Sequence, residues 1–272
     1  MMTKIAFIGA GNMNGAIISG LVKTGFNAED IMVSNPSPEK RLALKEQLGI
    51  LQTDDNIEAA NFADFIVLGV KPHFIAGVCQ KISEQMDISN KCFISVAAGC
   101  TVAQMKNALV NPCAIIRTMP NTPSQLGLGV TGIYAAENVN EHQKQIADAL
   151  MSSVGIVKWL NTEDEIDHII AVSGSAPAYF FLFMEAMEKQ AITLGFTAKE
   201  SRELVQQTAL GAAQMVANHD IPISELRAKV TSKGGTTNAA INSFIDDGLE
   251  QIVTNAMNSA LHRAKEMAQN NV

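Results

Sequence analysis

Two clusters at opposite ends of the chain could carry chemistry. Near the C-terminus, Thr231-Ser232-Lys233-Gly234-Gly235-Thr236-Thr237 gathers hydroxyls around adjacent glycines, immediately ahead of a helical pattern. Adjacent glycines let backbone N–H groups approach a ligand closely. The hydroxyls add donors, and the first turn of the next helix offers amides with no intrahelical partner and partial positive charge. Such a loop suits a carboxylate or a phosphate. At the other end, Lys4-Ile5-Ala6-Phe7-Ile8 reads as a strand ending in Gly9-Ala10-Gly11-Asn12-Met13-Asn14, which opens a helix. Gly9 and Gly11 are the first two glycines of G-x-G-x-x-G, one for the tight turn and one for close approach of backbone to a pyrophosphate. Asn14 replaces the usual Gly or Ala at the third position, where helix and strand pack closely, and Gly15 beside it is expected to relieve the crowding. A plain strand-to-helix turn can look the same, but the context favours a dinucleotide. Together the clusters suggest redox chemistry on a small anion.

The second strand, Ile31-Met32-Val33-Ser34-Asn35, lacks the carboxylate that would grip the 2′-hydroxyl of NAD. Ser34, Asn35 and Ser37 offer neutral donors instead, with Lys40 and Arg41 following, which suits the extra phosphate of NADP. The run Ser37-Pro38-Glu39-Lys40-Arg41 reads equally as a capped, solvated helix start, so the expectation of NADPH over NADH rests more on the missing acid than on the bases. In open α/β sheets ligands lie at the carboxyl ends of the strands. The loops there are Val70-Lys71-Pro72, Ser95-Val96-Ala97-Ala98-Gly99 and Arg117-Thr118-Met119-Pro120-Asn121-Thr122-Pro123. Prolines stiffen them and the small residues leave room for a flat ring, and three such loops on one edge favour a cofactor cleft over mere rigid connections.

The elements that must position these residues follow from pattern. Strands are expected at 4–8, 31–34, 65–69, 92–96 and 113–117, with later ones near 129–135 and 154–159. Helical spacing is carried by 15–23, 38–48, 74–83 and 102–109. This is the alternation of an α/β fold with a Rossmann-like, doubly wound parallel sheet. After Asn161 only helical stretches remain, at about 163–170, 175–194, 197–218, 222–230, 237–246 and 248–269. We therefore expect a dinucleotide-binding domain over 1–161 and an all-α domain over 162–272. Ser175 and Thr197 are expected N-caps, and Gly195 an expected stop.

Composition narrows the function. The 272 residues are 47% hydrophobic and 17% charged, with a formal charge of −7 and no Lys/Arg run, which argues against nucleic acid or an anionic membrane surface as partner. Cys79, Cys92, Cys100 and Cys113 have no C-x-x-C spacing and read as buried reduced thiols. The five histidines are scattered, and no metal is expected. Asn12 and Asn14 interrupt the first apolar run too early for a secretory signal, and Ala176 to Met184 falls short of the roughly 18 apolar residues of a membrane span. A cytoplasmic chain is expected. On the long helix after Ser173-Gly174-Ser175-Ala176-Pro177-Ala178-Tyr179, the first lysine is Lys189, several turns on. This disfavours alcohol oxidation through a lysine acid/base at the helix start.

These motifs, taken together, resemble pyrroline-5-carboxylate reductase, an NAD(P)H-dependent enzyme that makes proline from a cyclic imine. The resemblance runs almost end to end: Gly9-Ala10-Gly11-Asn12-Met13, Asn56 after an acidic pair, Val70-Lys71-Pro72, Ala97-Ala98-Gly99, Arg117 with Met119-Pro120-Asn121-Thr122-Pro123, Ser173-Gly174-Ser175 with Pro177-Ala178-Tyr179, and above all Gly234-Gly235-Thr236-Thr237. It implies that Ser34, Asn35 and Asn56 lie near the adenosine end of NADP. Gly9, Gly11, Asn12, Met13, Val70, Lys71, Pro72, Ala97, Ala98, Met119, Pro120 and Asn121 would line the rest of the cofactor. Ser232, Gly234, Gly235, Thr236 and Thr237 would hold the substrate, with Thr237 also catalytic. It implies, too, that residues 162–272 dimerise as an intertwined homodimer or a higher assembly of dimers, in which the glycine-rich loop completes a neighbouring subunit's cleft. Lys233, where the family commonly has proline, and Asn14, where it has Ala, depart from the pattern. The competing readings are a reductase of another imine or of a β-hydroxyacid, and a non-catalytic nucleotide-binding regulator on the same fold.

Overall fold

The structure is a computed structural model that describes residues 3–270. The chain divides into two compact units, one running to Ser175 and resuming from Ala260, the other comprising Ala176–Ser259.

The first unit is built on an eight-stranded sheet, β1 (Ile5–Ile8), β2 (Ile31–Ser34), β3 (Leu51–Thr53), β4 (Phe65–Leu68), β5 (Cys92–Ser95), β6 (Ala114–Met119), β7 (Gly129–Ala135) and β8 (Gly155–Trp159). The spatial order is β3-β2-β1-β4-β5-β6-β7-β8. Every residue of β1, β2, β4 and β5 is buried, as befits strands covered on both faces and read in sequence as unbroken apolar runs. Crossover helices supply the cover: α1 (Asn12–Lys23), α2 (Pro38–Leu48), α3 (Asn56–Phe62), α4 (Pro72–Gln85), α5 (Val102–Ala108) and α6 (Glu141–Ser152). The chain winds outward from β1 through β2 to β3, then returns to place β4 on the other side of β1. The carboxyl ends of β1 and β4 therefore form the switch point at which such sheets open a crevice.

The structure corrects three expectations. The edge strand β3 and the helices α3 and α6 are additional to the elements read from pattern. A three-residue strand and a seven-residue helix give little periodicity, whereas α6 is amphipathic and as long as α1, and the pattern reading misses it. The sheet is not wholly parallel: β7 runs antiparallel to β6, since residues 120–128 between them are too few for a crossover helix. Ser175 is not an N-cap. Helix α7 (Glu165–Ile169) passes through a π-helical turn, Ile170–Gly174, into α8 (Ala176–Thr193), and Ser175 N donates to Ile170 O at 2.8 Å within that turn. Thr197 is a true cap, with a reciprocal bond pair to Glu200, and Gly195 breaks the helix at φ +106°.

The second unit holds α8, then α9 (Ala198–Ala217), α10 (Ile223–Lys229), α11 (Thr236–Asp246) and the start of α12 (Leu249–Asn270). Among residues 176–259 only Ser201 and Val205 are buried, while Phe180, Phe181, Leu182, Leu194, Ile223 and Ile252 are exposed. The helical run Glu165–Thr193, 29 residues long, meets the length and composition of a membrane span, longer than the apolar stretch read from sequence because the helix continues through the π turn. An apolar surface on this scale marks an interaction site.

Helix α1 is held close to the end of α6 at Gly20, where a Cβ would stand 2.6 Å from Ser153 O. Helix propensity favours Gly20→Ala by about 1 kcal/mol, but the clash with fixed backbone dominates at about 1–3 kcal/mol. We predict a net loss of stability, read as a lower urea midpoint with unchanged slope; a higher midpoint would show that α1 shifts freely.

Candidate cofactor and substrate sites

The turn after β1 is shaped by its glycines. Gly9 has φ +98°, and a Cβ on it would lie 2.9 Å from Gly69 O. Gly11 is the N-cap of α1 and makes no side-chain cap; a Cβ there would meet only Gly69 O, at 3.7 Å. The first amides of α1, including those of Asn12 and Met13, precede the intrahelical ladder, whose first donor is Gly15 N to Gly11 O at 2.9 Å. Helices α2 and α4, which follow β2 and β4, also begin without a side-chain cap, at Ser37 and Lys71. By contrast α3 and α5 are capped by Asp55 and Thr101. At the starts of α1, α2 and α4, around the switch point, no side chain caps the first turn.

The β2 end is more ordered than its sequence suggests. Ser34 is fully buried and donates its hydroxyl to Asn56 Oδ1 at 2.6 Å, while Ser34 O accepts Gly9 N at 2.7 Å. Asn35 Oδ1 accepts Ala10 N at 3.1 Å, and its Nδ2 donates to Ser37 O at 3.0 Å. Asn35 and Asn56 are half-buried, Ser37 and Lys40 exposed. Arg41 turns away to β3, bonding Gln52 and pairing with Asp54 at 3.6 Å.

At the remaining strand ends, Val70 and Pro72 are half-buried, Lys71 is exposed with no ion pair among the described residues, Ala97 is buried and Ala98 half-buried. Met119 is half-buried and Pro120 buried. Asn121 spends its amide internally: Nδ2 donates to Ser173 O at 3.0 Å and Oδ1 accepts Val130 N at 2.8 Å. It fastens the β6–β7 loop to the π turn.

In the second unit, Gly234 has φ +75° and Gly235 N donates to Ser232 O at 3.0 Å, closing a turn just before α11. A Cβ on Gly235 would stand 2.7 Å from Ser232 Oγ, and Gly235 makes no side-chain cap. The first intrahelical donor is Ala239, to Gly235 O at 3.1 Å, so the amides of Thr236, Thr237 and Asn238 precede the ladder. Ser232, Lys233, Gly234, Thr236 and Thr237 are exposed and Gly235 half-buried. The loop brings the sequence-predicted substrate residues together around one uncapped helix start.

Sequence reasoning missed the surroundings of Arg117, since no spacing announces them. Arg117 is 3% exposed, donates from Nη1 to Glu163 Oε1 at 2.9 Å and stands 3.9 Å from Asp167 Oδ1. The same Glu163 oxygen accepts Val102 N at 2.8 Å, so one carboxylate joins β6 to the start of α5. Burial raises the Asp167 pKa against the opposing pull of Arg117. Burial also pushes the Cys79 and Cys92 thiols up to about 12 and those of Cys100 and Cys113 to about 11. These stay protonated and inert.

Two family models match the chain: "NADP oxidoreductase coenzyme F420-dependent" over residues 4–99 and "Pyrroline-5-carboxylate reductase dimerisation" over residues 163–267. A pyrroline-5-carboxylate reductase of Vibrio alginolyticus is 51% identical over 97% of both chains. The chain belongs to the pyrroline-5-carboxylate reductase family. Among solved structures, the pyrroline-5-carboxylate reductase of Coxiella burnetii superposes with a TM-score of 0.93 at 40% identity, covering 98% of this chain and 99% of that one. The Plasmodium falciparum enzyme, solved with NADP bound, gives 0.86 at 28% identity over 98% of each. The family's dimerisation segment thus accounts for the exposed apolar helices as a surface for association between copies.

The Asp167 geometry has a consequence for pH. Its folded-state pKa lies above the unfolded one, so the neutral form favours folding, and that contribution is lost as pH rises from the ordinary carboxylate range through the folded value. Asp167→Asn, always neutral, should therefore gain stability on wild type as pH climbs from about 4 toward neutrality. Urea unfolding across that range checks this, and a gap that narrows with pH would contradict it.

Proposed function

We propose that this chain reduces 1-pyrroline-5-carboxylate to L-proline with NADPH, by hydride transfer to the C=N carbon. The observation that carries the reading is the uncapped Gly-Gly-Thr-Thr start of α11, retained in a chain similar end to end to pyrroline-5-carboxylate reductases. A loop built to leave amides unpartnered suits the ring carboxylate.

On this reading residues 1–161 bind the cofactor and 162–272 the substrate and a second copy. The turn Gly9, Gly11, Asn12 and Met13 would take the pyrophosphate, and Ser34, Asn35 and Asn56 would border the adenosine. The buried Ser34 acts by fixing Asn56 and the turn rather than by touching ligand. Val70, Lys71, Pro72, Ala97, Ala98, Met119, Pro120 and Asn121 would line or brace the remaining length. With Arg41 committed to Gln52 and Asp54, the case for a 2′-phosphate rests on Ser37, Lys40 and the missing acid. A bound reduced nicotinamide nucleotide supplies the hydride. Donors around Ser232, Gly234, Gly235 and Thr236 would hold the carboxylate through charge-assisted bonds worth about 1.5–3 kcal/mol each, with Gly235 N itself kept by Ser232 O. Two or three such bonds orient so small a ring. Thr237 would hydrogen-bond the ring nitrogen. A threonine hydroxyl is a poor base near neutral pH, so its part is orientation and stabilisation of the ring nitrogen. The hydride acceptor is the protonated imine, which becomes the neutral amine as its C=N electron pair moves onto nitrogen. The working form is a homodimer or an assembly of dimers in the cytoplasm, with the loop serving a neighbouring copy's cleft.

The test follows NADPH absorbance when purified protein meets 1-pyrroline-5-carboxylate, with NADH and a plain ketoacid in parallel. Fast imine-dependent oxidation, quicker with NADPH, is expected. Cofactor binding without oxidation would favour a nucleotide-binding regulator or another imine. Thr237→Ala should lower kcat by more than about tenfold with NADPH affinity nearly unchanged; a rate like that of wild type would remove Thr237 from the site.

A further inference from the structure

We propose that Asn14 and Gly69 form a single positioning unit that sets the dinucleotide-binding turn, the side chain at 14 fitting only because position 69 has none. The proposal rests on the NADPH-binding reading above.

Asn14 is completely buried. Its Nδ2 donates to Gly9 O at 2.7 Å and to Ile8 O at 3.3 Å, the carbonyls at which β1 gives way to the turn. Ile8 O also accepts Gly69 N at 3.0 Å, so the side chain of Asn14 lies against the last rung joining β1 to β4. The room for it comes from position 69. A Cβ built on Gly69 would stand 2.3 Å from Asn14 Cγ, Nδ2 and Oδ1, closer than any real contact allows. Gly15, expected from sequence to relieve the crowding, does not: a Cβ there would meet only Leu44 Cδ2, at an ordinary 3.8 Å.

What this arrangement fixes is one peptide plane. In a trans peptide the C=O and N–H point in opposite directions. Asn14 holds Gly9 O from inside, so Ala10 N is aimed the other way, where it meets Asn35 Oδ1 at 3.1 Å. The chain of contact therefore runs from Gly69 through Asn14 and the Gly9–Ala10 peptide to Asn35, at the adenosine end of the proposed site. A fingerprint with a small third residue relies on close packing alone. Here a side-chain donor holds the turn instead. Asn14 Oδ1 is buried without a partner, an unfavourable feature that is understandable if the residue is kept for its Nδ2 and its shape.

The experiment is a double-mutant cycle of wild type, Asn14→Gly, Gly69→Ala and the double variant, with NADPH affinity measured by fluorescence titration and kcat at saturating NADPH. Gly69→Ala should weaken NADPH binding by about tenfold or more, and Asn14→Gly by about threefold. The double variant should bind better than Gly69→Ala alone, to within about threefold of wild type, because a small residue at 14 frees the space that a methyl group at position 69 needs. The kcat should stay within about twofold throughout, the split expected of residues that place cofactor and touch no reacting atom. Losses that multiply in the double variant, or thermal stability that falls with affinity unchanged, would overturn the proposal. If Gly69→Ala does not fold, a folded NADPH-binding double variant upholds the pair and an unfolded one refutes it. A wild type that does not bind NADPH removes the proposed function and this inference with it, whereas binding by wild type with multiplying losses removes the inference alone.

Discussion

The constraint on which the rest depends is that a helix start has backbone donors it cannot satisfy itself. Where this chain uses a helix only as scaffold, it often supplies a side-chain cap: Asp55 for α3, Thr101 for α5, Asn140 for α6 and Thr197 for α9. Where the proposed function places an anion, the chain withholds one. Gly11 and Gly235 begin α1 and α11 with bare backbone, and α2 and α4 start uncapped beside α1 at the same sheet edge. On the proposed reading, two anionic ligands of very different size, a dinucleotide and a ring carboxylate, would call on the same physical device.

Leaving donors free requires that the backbone presenting them be rigid, or the preorganisation is lost. In the first unit rigidity comes from outside the turn. The strand ladder fixes Ile8, Ser34 fixes Gly9, Asn35 fixes Ala10, and Asn14 fixes the carbonyls between. In the loop at 232–237 the equivalent is local, a tight Ser232–Gly235 turn in which Gly234 adopts a left-handed conformation. The first arrangement is distributed over β1, β2 and β4, the second confined to a few consecutive residues.

That difference decides what could be read from the sequence. The loop at 232–237 was legible because everything that shapes it is contiguous, and the strands β1, β2, β4 and β5 because burial on both faces writes an unbroken apolar run. The antiparallel β7, the short β3 with α3, and the π turn through Ser175 were not, since loop length and helix phase decide them rather than composition. Nor were the partnerships between residues far apart in sequence. Nothing at position 14 announces Gly69, and nothing at Arg117 announces Glu163, because a side chain's partner is a product of topology. Arg41 shows the reverse: a basic residue at the right offset for a phosphate is already taken by Gln52 on the neighbouring strand and Asp54 just after it.

The second unit carries the same logic to association. A segment in which only Ser201 and Val205 are buried, while five phenylalanines and many aliphatic side chains are exposed, has too little core of its own to offset the entropy of ordering it. Much of its stability must come from surface covered outside those residues, and the family's dimerisation segment names the cover as another copy. The loop proposed to hold the substrate opens α11 within this segment. On the proposed reading, the same association that completes the helical core therefore also fixes the helix start that holds the carboxylate. Weakening the contact between copies would then loosen substrate binding before it touched the dinucleotide turn, whose rigidity is supplied within the first unit by β1, β2 and β4.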